Sequence, residues 1–93
     1  MESILQTERG RCFLCGKLID TEEHHLISGT SNRKKSEEDG LKINVCRFCH
    51  NTAHTKREVE LQLKQLGQKV WEEHYGDRQK FIRRYGKSWI MED

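Results

Sequence analysis

The sequence predicts a small α+β fold, and three observations carry that expectation. Two Cys-x-x-Cys pairs, Cys12/Cys15 and Cys46/Cys49, punctuate the first half of the chain. Leu41, Ile43 and Val45 alternate with Lys42 and Asn44, the period of a half-buried strand, and run directly into the second pair. Beyond it, Val59, Leu63, Leu66 and Val70 recur at helical spacing, with Trp71 and Tyr75 widening the apolar stripe.

Length and composition explain why the cysteines matter. The chain has 93 residues, enough for one domain spanning 1–93, read as a core at 12–54 and a helical extension at 55–93. Only 33% of it is hydrophobic against 34% charged, and a core that thin is marginal without a cross-link. Each Cys-x-x-Cys turn presents two sulfurs to one ion, so the four together meet the need of a tetrahedral Zn²⁺. The N-terminus, MESILQTERGRC, is polar where a secretory signal needs an apolar run. No segment approaches the roughly 20 apolar residues of a membrane span. The cytoplasm is therefore the expected compartment, with no membrane partner, and paired thiols there indicate metal more often than disulfide. A redox dithiol would need only one such pair.

The elements are expected in the following order. Ser3 caps a short opening helix through Gln6 or Thr7. The first knuckle, Cys12-Phe13-Leu14-Cys15, is closed by Gly16, which tolerates the positive φ of such a turn. Glu23-His24-His25-Leu26-Ile27 forms a short strand ending at Ser28-Gly29. Residues 29–40 contain only glycine and polar residues, a loop with at most one helical turn at Ser36-Glu37-Glu38-Asp39. Strand Leu41–Val45 leads into the second knuckle. A helix follows from His50 to Tyr75, with a break near Thr55 left open and Gly67 as a weak point costing about 1 kcal/mol relative to Ala. His74 is expected to be partly buried. Gly76 suits a helix end and Asp77 an N-cap. The last helix turns Phe81, Ile82 and Tyr85 inward and stops at Gly86, after which Trp89 and Ile90 fold back onto the core.

Charge says less. The net charge of +2 is too small to imply nucleic acid by itself. Arg78, Lys80, Arg83, Arg84 and Lys87 make the last segment basic, whereas Arg33-Lys34-Lys35 is followed by Glu37-Glu38-Asp39 and cancels locally.

The histidines carry the chemistry. His50 and His54 lie four apart on a helix, share one face and can hold one cation together. A neighbouring strand can bring His24 or His25 to the same ion, not both, because successive strand side chains alternate. The other imidazole, with an ordinary pKa near ~6.5, can then serve as a general base.

Cys12-x-x-Cys15, then Glu23-His24-His25-Leu26-Ile27, then Cys46-x-x-Cys49-His50-x-x-x-His54 resembles the HNH (ββα-metal) nucleases, and more closely the small phage-type proteins built on a four-cysteine zinc ribbon. The resemblance implies a small zinc-ribbon ββα-metal (HNH-like) core with additional C-terminal helices. Cys12, Cys15, Cys46 and Cys49 would be structural zinc ligands, and His24, His50 and His54 would hold a second divalent ion, Mg²⁺, Mn²⁺ or Ni²⁺. His25 would be the catalytic base acting on DNA. One departure stands out: Leu41 occupies the place of the family's middle asparagine, which orients the base.

Different functions follow from that departure. The chain is expected to be a metal-dependent DNA endonuclease, phage or prophage encoded and acting in the bacterial cytoplasm. The alternative is a catalytically dead relative that inhibits a host nuclease, an anti-CRISPR protein blocking a CRISPR effector or its DNA loading, with purely structural zinc. A nonenzymatic DNA-binding ribbon would show steeply salt-dependent binding. The long amphipathic helix also leaves a homodimer open.

Overall fold

The structure is a computed structural model that describes residues 2–5 and 10–90. Its elements run β1 (Glu22–His25), α1 (Thr30–Asp39), β2 (Lys42–Val45), α2 (Arg47–Thr55), α3 (Arg57–His74) and α4 (Arg78–Tyr85). The two strands pair antiparallel, so the architecture is α+β as the sequence predicts. The first knuckle is closed by a bridge between Arg11 and Leu18 and turns at Gly16, φ 77. The Phe13 amide donates to the Asn44 carbonyl at 2.8 Å and ties the knuckle to β2.

The strand register decides which side chains meet. Glu22 pairs with Val45 and His24 with Ile43, while Glu23 pairs with Asn44 and His25 with Lys42. Side-chain alternation therefore divides the ladder into a face with Glu22, His24, Ile43 and Val45 and a face with Glu23, His25, Lys42 and Asn44. Ile43, Val45 and His24 are buried, and helix α2 packs on their side.

The segment expected to be a loop is instead the ten-residue helix α1. Its sequence, TSNRKKSEED, has no apolar stripe to reveal it, because polar contacts hold it in place. Ser36 is fully buried, donating its hydroxyl to the Ile27 carbonyl at 2.9 Å and accepting from the Ile27 amide at 3.2 Å. Asn32 donates to the Tyr85 carbonyl. At the helix end, the Asp39 carboxylate accepts from Trp71 Nε1, Tyr85 Oη and the Arg84 guanidinium at 2.6–2.8 Å. Gly40, φ 75, then reverses the chain where a Cβ would lie 2.5 Å from the Glu2 carbonyl. β1 stops at His25, before the expected Ile27, because Leu26 and Ile27 turn into the core to meet α1 and α3.

The break left open near Thr55 is present and falls at Lys56, and α2 begins at Arg47 rather than His50, with Cys46 as its N-cap. On α3 the fully enclosed positions are Leu63, Gly67, Gln68 and Trp71, whereas Leu66 and Val70 are half-buried and Tyr75 is exposed. His74 is also exposed, contrary to expectation, since the helix carries it away from the core. Asp77 caps α4 through the Lys80 amide at 2.9 Å, and Gly86 ends it at φ 94. Phe81 and Tyr85 stack at 4.7 Å between ring centroids, and Trp71 and Trp89 meet Phe81 edge-on. Trp89 does fold back, bonded through its amide and carbonyl to Gln68 and Gln65. Ser3–Leu5 are not helical, and the remainder of the expected opening helix, Gln6 and Thr7, lies outside the described residues. Among the described residues no helix is long and apolar enough to cross a membrane.

Gly67 is not the weak point that helix propensity suggests. A Cβ there would stand 2.9 Å from Leu26 Cβ and 3.3 Å from Ile27 Cδ1, so glycine lets α3 close onto the β1 exit. Gly67→Ala gains about 1 kcal/mol of propensity. It forces apart a packed contact, at about 1–3 kcal/mol, because Leu26 Cβ sits next to backbone and cannot swing away. The expected outcome is net destabilisation, measured as a lower urea midpoint for the zinc-loaded protein.

Candidate metal centres

The two knuckles bring the four cysteines together. Their sulfurs all lie within 4.8 Å of one another, and Cys15 Sγ is 3.9 Å from Cys46 Sγ. Four sulfurs about 2.3 Å from one zinc stand about 3.8 Å apart in a tetrahedron, whereas a disulfide would require about 2.05 Å. The residues therefore form a metal site compatible with structural zinc, and the cysteines are free thiols. Cys12 Sγ accepts from the Cys15 amide and Cys46 Sγ from the Cys49 amide. Burial raises the Cys12 thiol, but backbone N–H groups of Cys15, Cys46 and Leu14 outweigh it and bring it down to about 6. Burial together with the neighbouring sulfurs pushes Cys49 up to about 12. Four sulfurs this close cannot all be thiolates without a cation among them, which is the electrostatic case for the ion.

A second cluster lies on the α2 side of the ladder. His24, the buried strand residue, meets His50 and His54 from one face of α2, with ring centroids 5.3, 5.2 and 4.8 Å apart. Their candidate ligand nitrogens lie within 4.8 Å of one another, and His50 Nε2 is 3.1 Å from His54 Nε2. Two imidazole nitrogens bound at about 2.0–2.1 Å to one ion stand roughly 3.0–3.4 Å apart, so the pair has the spacing of metal ligands. Burial, followed by the charges of His50 and His54, lowers His24 to about 4, leaving its lone pair available at neutral pH. Three imidazoles suit Ni²⁺ or Zn²⁺ better than Mg²⁺, which prefers oxygen ligands.

Glu22 completes this cluster and was not singled out from the sequence. On the same strand face as His24, two residues earlier, its Oε1 lies 2.9 Å from His50 Nδ1. The hydrogen bond to His50, aided by Arg47, lowers the Glu22 carboxyl below its ordinary value. A carboxylate on Nδ1–H fixes the tautomer that turns the Nε2 lone pair toward His24 and His54. The expected strand began one residue too late, at Glu23; with β1 starting at Glu22, alternation puts Glu22 on the face of His24. Glu22→Gln should weaken binding of a divalent ion to the imidazoles about 10–100-fold while leaving the cysteine site intact, as calorimetric titration of zinc-loaded protein with Ni²⁺ can measure.

His25 points to the opposite face of the ladder yet lines the same cleft, together with Glu23, His24, Ser28, Arg33, His50 and His54. Its Nε2 lies 3.2 Å from Glu37 Oε1, and the other Glu37 oxygen accepts from Lys42 Nζ at 2.7 Å. Lys42 first, then His25, hold the Glu37 carboxyl down to about 2, so it stays ionised. With Nε2–H committed to a carboxylate, Nδ1 of His25 carries the lone pair. Leu41, where the resemblance to the HNH nucleases would place an asparagine, is fully buried in the core and offers His25 nothing. Glu37 on α1 holds the imidazole instead, and sequence spacing could not show it because α1 was itself unexpected.

No protein-family model, no curated protein and no solved structure matches the chain.

Proposed function

We propose that this chain is a small metal-dependent endonuclease of the HNH kind, hydrolysing phosphodiester bonds of DNA around a structural zinc. The observation that carries the reading is one cleft in which three imidazoles converge while a fourth, His25, stands beside them held by an ionised carboxylate. His24, His50 and His54 would hold the divalent ion, with Glu22 fixing the His50 tautomer. When bound, such an ion supplies positive charge to a phosphoryl oxygen and to the departing 3′-oxygen.

The protein groups do the remaining work. His25 takes a proton from the attacking water at Nδ1, and the ring becomes a cation. Glu37 stabilises that cation across the Nε2–H hydrogen bond, as a carboxylate does for a catalytic imidazole in a hydrolytic triad. Lys42 bridges Glu37 and Glu23 at 2.7 and 3.0 Å and keeps the carboxylate from turning away. The base-orienting role assigned to the absent asparagine thus falls to Glu37.

The inhibitor reading keeps one supporting feature, the exposed apolar side chains of Leu18, Ile19 and Phe48 on the zinc-ribbon end, which a host nuclease could cover. Supercoiled plasmid separates the two. Zinc-loaded protein with added Mn²⁺ or Ni²⁺ is expected to produce open circles, and none without the second ion. Intact plasmid at stoichiometric ion loading would leave the protein-binding reading in possession.

A further inference from the structure

The run Arg33-Lys34-Lys35 and Glu37-Glu38-Asp39 is neutral along the sequence but not in space, because winding into α1 sends its members in different directions. Glu37 is taken by His25 and Lys42. Glu38 and Asp39 are taken by Arg84, and Asp39 also by Trp71 and Tyr85. Lys35 donates to the Arg84 carbonyl at 2.6 Å. Arg33 alone of the run's cations meets the imidazole cleft, and its guanidinium forms no ion pair among the described residues. Arg33 and Glu37 lie four apart on one face of α1, so the same face that holds His25 also presents this cation.

The cleft's charge explains what such a cation is for. All three ligands of the candidate ion are imidazoles, which neutralise none of a divalent charge. Of the carboxylates around the cleft, Glu23 and Glu37 are paired with Lys42 and Glu22 with His50, whereas Arg33 adds a permanent positive charge that forms no ion pair among the described residues. That combination attracts a dianion or a phosphodiester rather than a carboxamide or a sugar. The guanidinium fork can meet two phosphate oxygens at once.

We infer that Arg33 is a phosphate clamp, binding a non-bridging oxygen of the nucleic-acid strand that enters the imidazole cleft. The inference rests on the nuclease reading for the polymer, but the anion site can be tested without cleavage. Dimethyl phosphate is titrated into zinc-loaded protein carrying Mn²⁺, and paramagnetic broadening of the ³¹P signal reports binding. Arg33→Gln, at an exposed position, should weaken that binding about 10–100-fold. The Mn²⁺ affinity of the protein should stay as in the wild type. In the nicking assay the same variant should raise KM more than it lowers kcat. If the wild type never nicks but its phosphate binding still depends on Arg33, the nuclease reading falls and the clamp stands. If the wild type gives no broadening, or Arg33→Gln binds dimethyl phosphate equally well, the clamp is overturned whatever the plasmid shows.

Discussion

Removing zinc from the four cysteines is expected to unfold most of this protein. Structural zinc in small domains contributes an apparent free energy of about 10–16 kcal/mol, which equals or exceeds the whole stability of an ordinary domain, about 5–15 kcal/mol. The fold here leaves little to replace it. Cys12, Cys46 and Cys49 are themselves core residues, packed with Ile43, Val45 and Ala53, and Cys46 is the junction between β2 and the cap of α2. Once the ion is gone, the buried Cys49 sulfur holds a proton tightly and the ribbon has no bond across it. Chelation, or Cys46→Ser, should therefore abolish most helical circular dichroism and the cooperative melt. Loss of zinc should also become easier in acid, because protons compete for the same sulfurs. An unchanged spectrum and melting curve after verified zinc removal would refute the structural role of the ion.

The second large effect is catalytic. His25→Ala should lower the rate of plasmid nicking by about 10²–10⁴-fold, the usual contribution of a positioned general base. It should do so without disturbing either metal site, because His25 lies on the ladder face opposite His24 and the Glu37–Lys42 pair remains when the ring is removed. Circular dichroism and Ni²⁺ titration of the variant would then match the wild type while nicking collapses. Nicking that survives His25→Ala at the wild-type rate would assign the proton transfer elsewhere and remove the reason for Glu37's position.

How much of this was legible in the sequence depended on whether the signal was local. The Cys-x-x-Cys spacing announces itself within four residues, and one strand alternation with one helical turn brings either His24 or His25 to His50 and His54, the choice of His24 being what the family resemblance implies. Asp77 and Gly86 mark α4 by capping chemistry that needs no tertiary context. What stayed hidden is held by distant polar contacts. Helix α1 has no apolar face, and it is anchored through Ser36 to Ile27 and through Asp39 to Trp71, Arg84 and Tyr85, partners far away in the chain. With α1 unseen, Glu37 could not be recognised as the holder of His25, nor Arg33 as a cation separated from its acidic neighbours. Gly67 was misjudged for the same reason: its value lies in Leu26 and Ile27 across the core, not in its own helix.

The chain is expected to carry two chemically distinct metal centres, sulfur at one and imidazole at the other. X-ray absorption at the zinc and nickel edges of the same zinc-reconstituted, Ni²⁺-titrated sample tests this most directly. The expected result is zinc with four sulfurs at about 2.3 Å and nickel with only nitrogen and oxygen neighbours at about 2.0–2.1 Å, including the scattering signature of several imidazoles. Nickel surrounded by sulfur, or zinc with a mixed nitrogen and sulfur shell, would contradict it.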